Sequence, residues 1–170
     1  MSISMYQASV SVLVPMLENL KAILEKAADH CDNKKIDQSV LPTCRLFPDM
    51  FPLSRQVQIA TDHAKGCPAR LAGLEPPVYE DNEKTLPELI ARVQKTIDYL
   101  NTFTAGQIDG TDEKKIEFKI ATYEMKFIGH VYVLKYTLPN FFFHVTTAYD
   151  ILRHNGIEIG KGDFLNKLLR

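Results

Sequence analysis

The chain has 170 residues, the length of one domain, and surface scaling lets roughly 70% of the unfolded surface be buried without disulfides or a structural metal. Hydrophobic residues make up 45% and charged residues 24%, which excludes a disordered chain. Twenty Lys and Arg against 21 Asp and Glu leave a net charge of -1, so there is no broad basic field for nucleic acid or anionic lipid.

The N-terminal stretch 1–10 lacks a basic segment and is not expected to act as a secretory signal. Apolar runs such as Val12-Leu13-Val14 and Phe141-Phe142-Phe143 are too short to span a bilayer. Cys31, Cys44 and Cys67 form no C-x-x-C pair and are expected to be small apolar residues carrying reduced thiols, as in a cytoplasmic protein.

The first element is predicted over 4–30, where Tyr6, Val10, Leu13, Leu17, Leu20, Leu24 and Ala27 recur in steps of three and four. Pro15 should kink this helix or start a second one. A loop over 32–50 contains Pro42 and Pro48. A second helix is predicted from Pro52 to about Leu71, striped by Leu53, Val57, Ala60, Ala64, Cys67 and Leu71, with Gly66 and Pro68 bending its end. After a loop over 73–84, Thr85-x-x-Glu88 is a capping box opening a third helix, which should stop near Ala105-Gly106. Ile116, Phe118 and Ile120, then Tyr123, Met125 and Phe127, alternate with charged residues and predict a β-hairpin. The final long segment, 130–155, is interrupted by Pro139 and stopped by Asn155-Gly156, and a short helical turn is expected over 164–169. No linker or repeat divides the chain. One domain over 1–170 is expected, mainly all-α: an up-and-down four-helix bundle with a small hairpin before the fourth long helix.

Two stretches, Arg45-Leu-Phe-Pro-Asp-Met-Phe-Pro-Leu through His63-Ala-Lys-Gly66, and Leu138-Pro-Asn-Phe-Phe-Phe-His144 through Asn155-Gly156 to Leu165, resemble a bacterial domain-of-unknown-function family within the DinB/YfiT-like bundle superfamily. The resemblance covers essentially the whole chain. It implies a four-helix bundle that, in the superfamily's metal-binding members, holds a divalent ion through one histidine of the second helix and an H-x-x-x-H pair of the fourth. Some members transfer thiol cofactors, which implies a metal-assisted transferase or hydrolase. By position His63 resembles the second-helix ligand and His144 the second member of the pair. The first member's place holds Asn140, a departure from the motif.

Read without the resemblance, Asn140 and His144 are four apart and share a helix face, and His63 could meet them from another helix. Two imidazoles suit zinc or nickel, whereas a carboxamide is a weak third ligand. Three outcomes stay open: a metal site, a metal-free pocket for a small organic ligand, or two hydrogen-bonded core histidines with Asn140 satisfying backbone groups beside Pro139. Tyr149 and Arg153 are candidates for the wall of the same pocket. His130, His144 and His154 are too far apart along one helix to share an ion. The acid pairs Glu80-Asp81 and Asp112-Glu113 are expected to be solvated surface. The Phe141–Phe143 triplet should reach a neighbouring helix or, in a homodimer, a second subunit. A bundle acting only through self-association or a protein partner is the alternative function.

Overall fold

The computed structural model describes residues 3–166. The apolar stripes become four long helices: α2 (Val10–Lys34), α3 (Leu53–Ala72), α4 (Leu86–Leu100) and α7 (Leu138–His154). Short pieces lie between and around them: α1 (Met5–Ala8), a 3₁₀ turn (Leu41–Thr43), α5 (Ala105–Ile108), α6 (Gly129–Val131) and α8 (Lys161–Leu165). α2 lies chiefly against α4, and α3 lies between α4 and α7. Val10, Leu13, Leu17, Leu20, Leu24 and Ala27 of the first stripe are buried, as are Leu86, Leu89, Val93, Ile97 and Leu100 of α4. Among the described residues no helix is long and apolar enough to cross a membrane.

The first helix is interrupted at Ser9, not at Pro15. Ser9 takes φ −122°, ψ −85° and its hydroxyl donates to the Met5 carbonyl at 2.6 Å. Pro15 is tolerated inside α2 because, so near the start, its missing N–H removes a single bond of the ladder. The capping box of α4 forms as expected: Glu88 N–H donates to Thr85 Oγ1 (3.4 Å) and Thr85 N–H to Glu88 Oε2 (2.9 Å). This helix stops at Leu100, earlier than the sequence suggested. Residues Ala105–Ile108 form a separate turn because Thr104 and Gln107 make a capping box of their own.

The hairpin pairs β1 (Lys115–Ile120) with β2 (Tyr123–Ile128) antiparallel, with Ile116 opposite Phe127 and Phe118 opposite Met125. Gly129 lets the chain leaving the hairpin pass close against the Thr111–Asp112 segment that leads into it. A Cβ there would lie 1.9 Å from the Thr111 carbonyl oxygen, so only glycine permits this approach.

Pro139 neither splits the last helix nor leaves it regular. The turn before it, Tyr132–Thr137, widens into a π-helix that runs directly into α7. The proline removes one N–H from the ladder, and the Asn140 side-chain amide donates to the Tyr136 carbonyl at 2.7 Å. α7 ends as the sequence suggested: Gly156 adopts φ +87°, and Ile157 N–H reaches back to the Leu152 carbonyl. The expected helical turn over 164–169 begins earlier, at Lys161, and its last residues lie outside the described range.

Candidate functional site

α3 and α7 face each other across a polar and aromatic seam. Gln56, His63 and Arg70 recur every seven residues, two helical turns, and so share one face of α3. Tyr132, Tyr136, Asn140 and His144 recur every four along the opposing element. The two series meet in reverse order, which makes the helices antiparallel here: Gln56 contacts His144, His63 contacts both His144 and Tyr136, and Arg70 contacts Tyr132.

His144 is the most constrained member. Gln56 is buried, and its Nε2 donates to the Phe51 carbonyl at 3.0 Å, which turns Oε1 toward His144 Nδ1 at 2.7 Å. The contact is therefore an Nδ1–H donating to Oε1, and Nε2 of His144 keeps its lone pair. The His63 ring lies parallel to it, with centroids 6.2 Å apart, and meets Tyr136 edge-on at 5.3 Å. Burial disfavours the charged form of both rings. Burial, then His144, Arg70 and Lys65, push His63 down to about 4; burial and then Arg55 push His144 down to about 4. Both imidazoles are thus neutral at pH 7, each able to donate from one nitrogen and accept at the other.

His63 and His144 converge as the sequence suggested, and Asn140 precedes His144 by one turn of α7. The Nδ2 of Asn140 is taken by the Tyr136 carbonyl. Its Oδ1 accepts no hydrogen bond from a described residue. Tyr149 and Arg153 do not line this site. They follow His144 by five and nine residues, about 140° and 180° around the helix at 100° per residue. Tyr149 packs edge-on against Phe164 at 5.9 Å, and Arg153 reaches the Ile157 carbonyl. The spacing alone could have separated them from the histidines. Among the described residues no three His, Cys, Asp or Glu side chains gather as a metal cluster. The cysteines are free, and burial raises Cys67 to about 12.

A second polar constellation was not anticipated. Arg92 of α4 is buried, and its guanidinium donates to Thr61 Oγ1 (2.7 Å), the Glu80 carbonyl (3.1 Å), Glu83 (2.9 Å) and Asp62 (3.1 Å), and also pairs with Asp81 (3.1 Å). Arg55 also pairs with Asp81, and Lys65 with Asp62. Tyr79 lies beneath three cations, with Lys95 Nζ 4.2 Å and Lys65 Nζ 4.8 Å from its ring centroid and Arg92 at 5.3 Å. Asp81, Glu83 and the Glu80 carbonyl therefore form a clasp that straps the loop over 74–84 onto α3 and α4, while Glu80 and Asp81 themselves stay exposed to solvent, as expected. The signal available in the sequence was an arginine within the apolar face of α4, between Leu89 and Val93.

Comparison with known proteins agrees with this architecture. No curated protein matches the chain. A crystal structure of a DinB family member protein from Shewanella denitrificans superposes with a TM-score of 0.83 at 39% identity, over 94% of this chain and 90% of that one. The family model described as Domain of unknown function (DUF1993) matches residues 5–165. With its bundle, its hairpin and its α3–α7 seam in place, the chain belongs to the DUF1993 family and has a DinB-like fold.

Proposed function

We propose that this DinB-like protein binds a small polar organic molecule at the α3–α7 seam, recognised by His63, His144 and the free Oδ1 of Asn140. The observation that carries the proposal is the Phe51–Gln56–His144 chain of hydrogen bonds, which fixes one tautomer and leaves His144 Nε2 open as an acceptor. A buried amide committed at both ends to orienting one imidazole is a cost that core packing alone does not require. His63 adds a second neutral ring, and Tyr136 an aromatic wall.

The divalent ion implied by the resemblance fits this chain poorly. Its third ligand position is Asn140, whose amide is tied to the backbone. The charged side chains acting on the two rings are Arg55, Lys65 and Arg70, all cations, which repel a second positive centre. The three cysteines, all free, accord with a reducing cytoplasm. The second function, a bundle acting through a homodimer, is favoured by the exposure of Phe47, Phe51 and Phe143.

Ligand-observed NMR with a library of small polar fragments, run on wild type and His144→Ala, tests the proposal. Fragments that bind wild type and are lost in the variant support it. Zinc or nickel binding to chelator-stripped protein, abolished by either histidine substitution, would overturn it in favour of the metal. A dimer in sedimentation with no fragment bound would overturn it in favour of self-association.

A further inference from the structure

Arg70 lies two turns beyond His63 on the same face of α3, and its guanidinium is held from three sides. It lies over the Phe118 ring at 4.1 Å from the centroid and donates through Nη1 to the Tyr132 hydroxyl at 3.0 Å. It also folds back over Gly66, where a Cβ would come within 2.2 Å of Nη1. Arg70 is half-buried and forms no ion pair with any described carboxylate. Buried or half-buried cations ordinarily have a counter-charge. The buried arginine of the same bundle, Arg92, has three.

Arg70 borders a cleft of about 190 Å³, whose walls also carry Lys114, Lys115, Glu75 and Glu117. Lys114 is anchored by donating to the Leu71 carbonyl at 2.7 Å, and Lys115 is exposed at the start of β1. Three cations against two carboxylates leave the lining net positive, and the cleft is large enough for a tetrahedral or planar oxyanion. A guanidinium immobilised before its ligand arrives loses little rotamer freedom on binding, and its fork matches two oxygens at once.

We propose that Arg70, with Lys114 and Lys115, forms an oxyanion subsite for phosphate or carboxylate at the end of the α3–α7 seam. The proposal does not depend on the histidines binding anything. The anion could be free or a group carried by a larger molecule, and the chemistry of recognition is the same.

The test is amide and arginine Nε–H NMR of the full chain at low ionic strength, titrated separately with inorganic phosphate and with acetate. Saturable shifts confined to residues around 70–75 and 114–117 are expected. Saturation by phosphate alone identifies a phosphoryl group, and saturation by both identifies a general oxyanion subsite. Arg70→Gln should weaken the response by about tenfold or more, the loss of one charge-assisted bidentate contact. Arg70→Lys, which keeps the charge without the fork, should fall between. Lys115→Gln, at an exposed position with no core contact to disturb, should weaken it several-fold with the fold intact. Lys21→Gln, on α2, should leave it unchanged. No saturable shift with either anion, or equal shifts in wild type, Arg70→Gln and Lys115→Gln, would overturn the proposal.

Discussion

Arg92→Leu removes the guanidinium that fastens the loop over 74–84 while keeping apolar bulk in α4. The arginine side chain is 2% exposed, and the carboxylates it leaves differ in their remaining support. Asp62 keeps Lys65 and Asp81 keeps Arg55; with side chains 38% and 37% exposed, both are well screened by water. Glu83 is 11% exposed and, among the described residues, keeps the Gln58 amide at 2.9 Å as its remaining partner. The loss is therefore mainly that of one nearly buried, uncompensated carboxylate. Breaking a buried pair from one side costs about 3–5 kcal/mol, and the exposure of the two aspartates places this case near 3 kcal/mol. At about 2–4 °C per kcal/mol for a chain of this size, Tm should fall by about 6–12 °C. Urea unfolding followed by circular dichroism measures the loss. Adding Glu83→Gln to Arg92→Leu should recover about 1 kcal/mol, because the stranded charge disappears. A loss below about 1 kcal/mol for Arg92→Leu, or no recovery in the double variant, would refute the assignment of a buried clasp.

Three further outcomes are expected. His63 and His144 titrate near 4 in the folded chain against 6.5 unfolded, so between these values the unfolded chain binds more protons; their stabilisation is complete above pH 6.5 and declines toward pH 4, by roughly 1.4 kcal/mol per pH unit for each ring. Tm should thus fall more steeply from pH 7 to 5 in wild type than in the His63→Gln/His144→Gln double variant, and parallel slopes would contradict it. Gly129→Ala should cost about 1–3 kcal/mol because its Cβ would meet backbone, whereas Gly162→Ala, in α8 with open space around it, should be neutral or stabilising by about 0.4–1 kcal/mol in thermal unfolding. Gln56→Leu should release His144 from its single tautomer, seen as a changed ring ¹⁵N pattern, and destabilise the chain by about 1–3 kcal/mol through the orphaned Nδ1–H; an unchanged ring spectrum would show that Gln56 does not set the proton's place.

The four long helices and the hairpin were legible in the chain itself, because their signals are local. Steps of three and four from Val10 to Ala27, the Thr85–Glu88 box, alternation around Phe118 and a glycine at 156 each prescribe backbone geometry within a few residues. Boundaries were less secure: Thr104 and Gln107 end one helix by opening another turn, a competition between caps that periodicity does not rank. The histidine pair was legible through its motif, but Tyr149 and Arg153 were joined to it by nearness in sequence where helix rotation turns them away. Only the tertiary structure decided which long-range partners meet. Gln56 reaches His144 across 88 residues, and Arg70 reaches Tyr132 across 62. Arg92 collects acids from α3 and from a loop that looked solvated. Such contacts are fixed by how helices pack and by the need of buried polar groups for partners. A residue's own neighbours in the chain carry no information about that need, whereas the periodicity that makes a helix is written entirely among them.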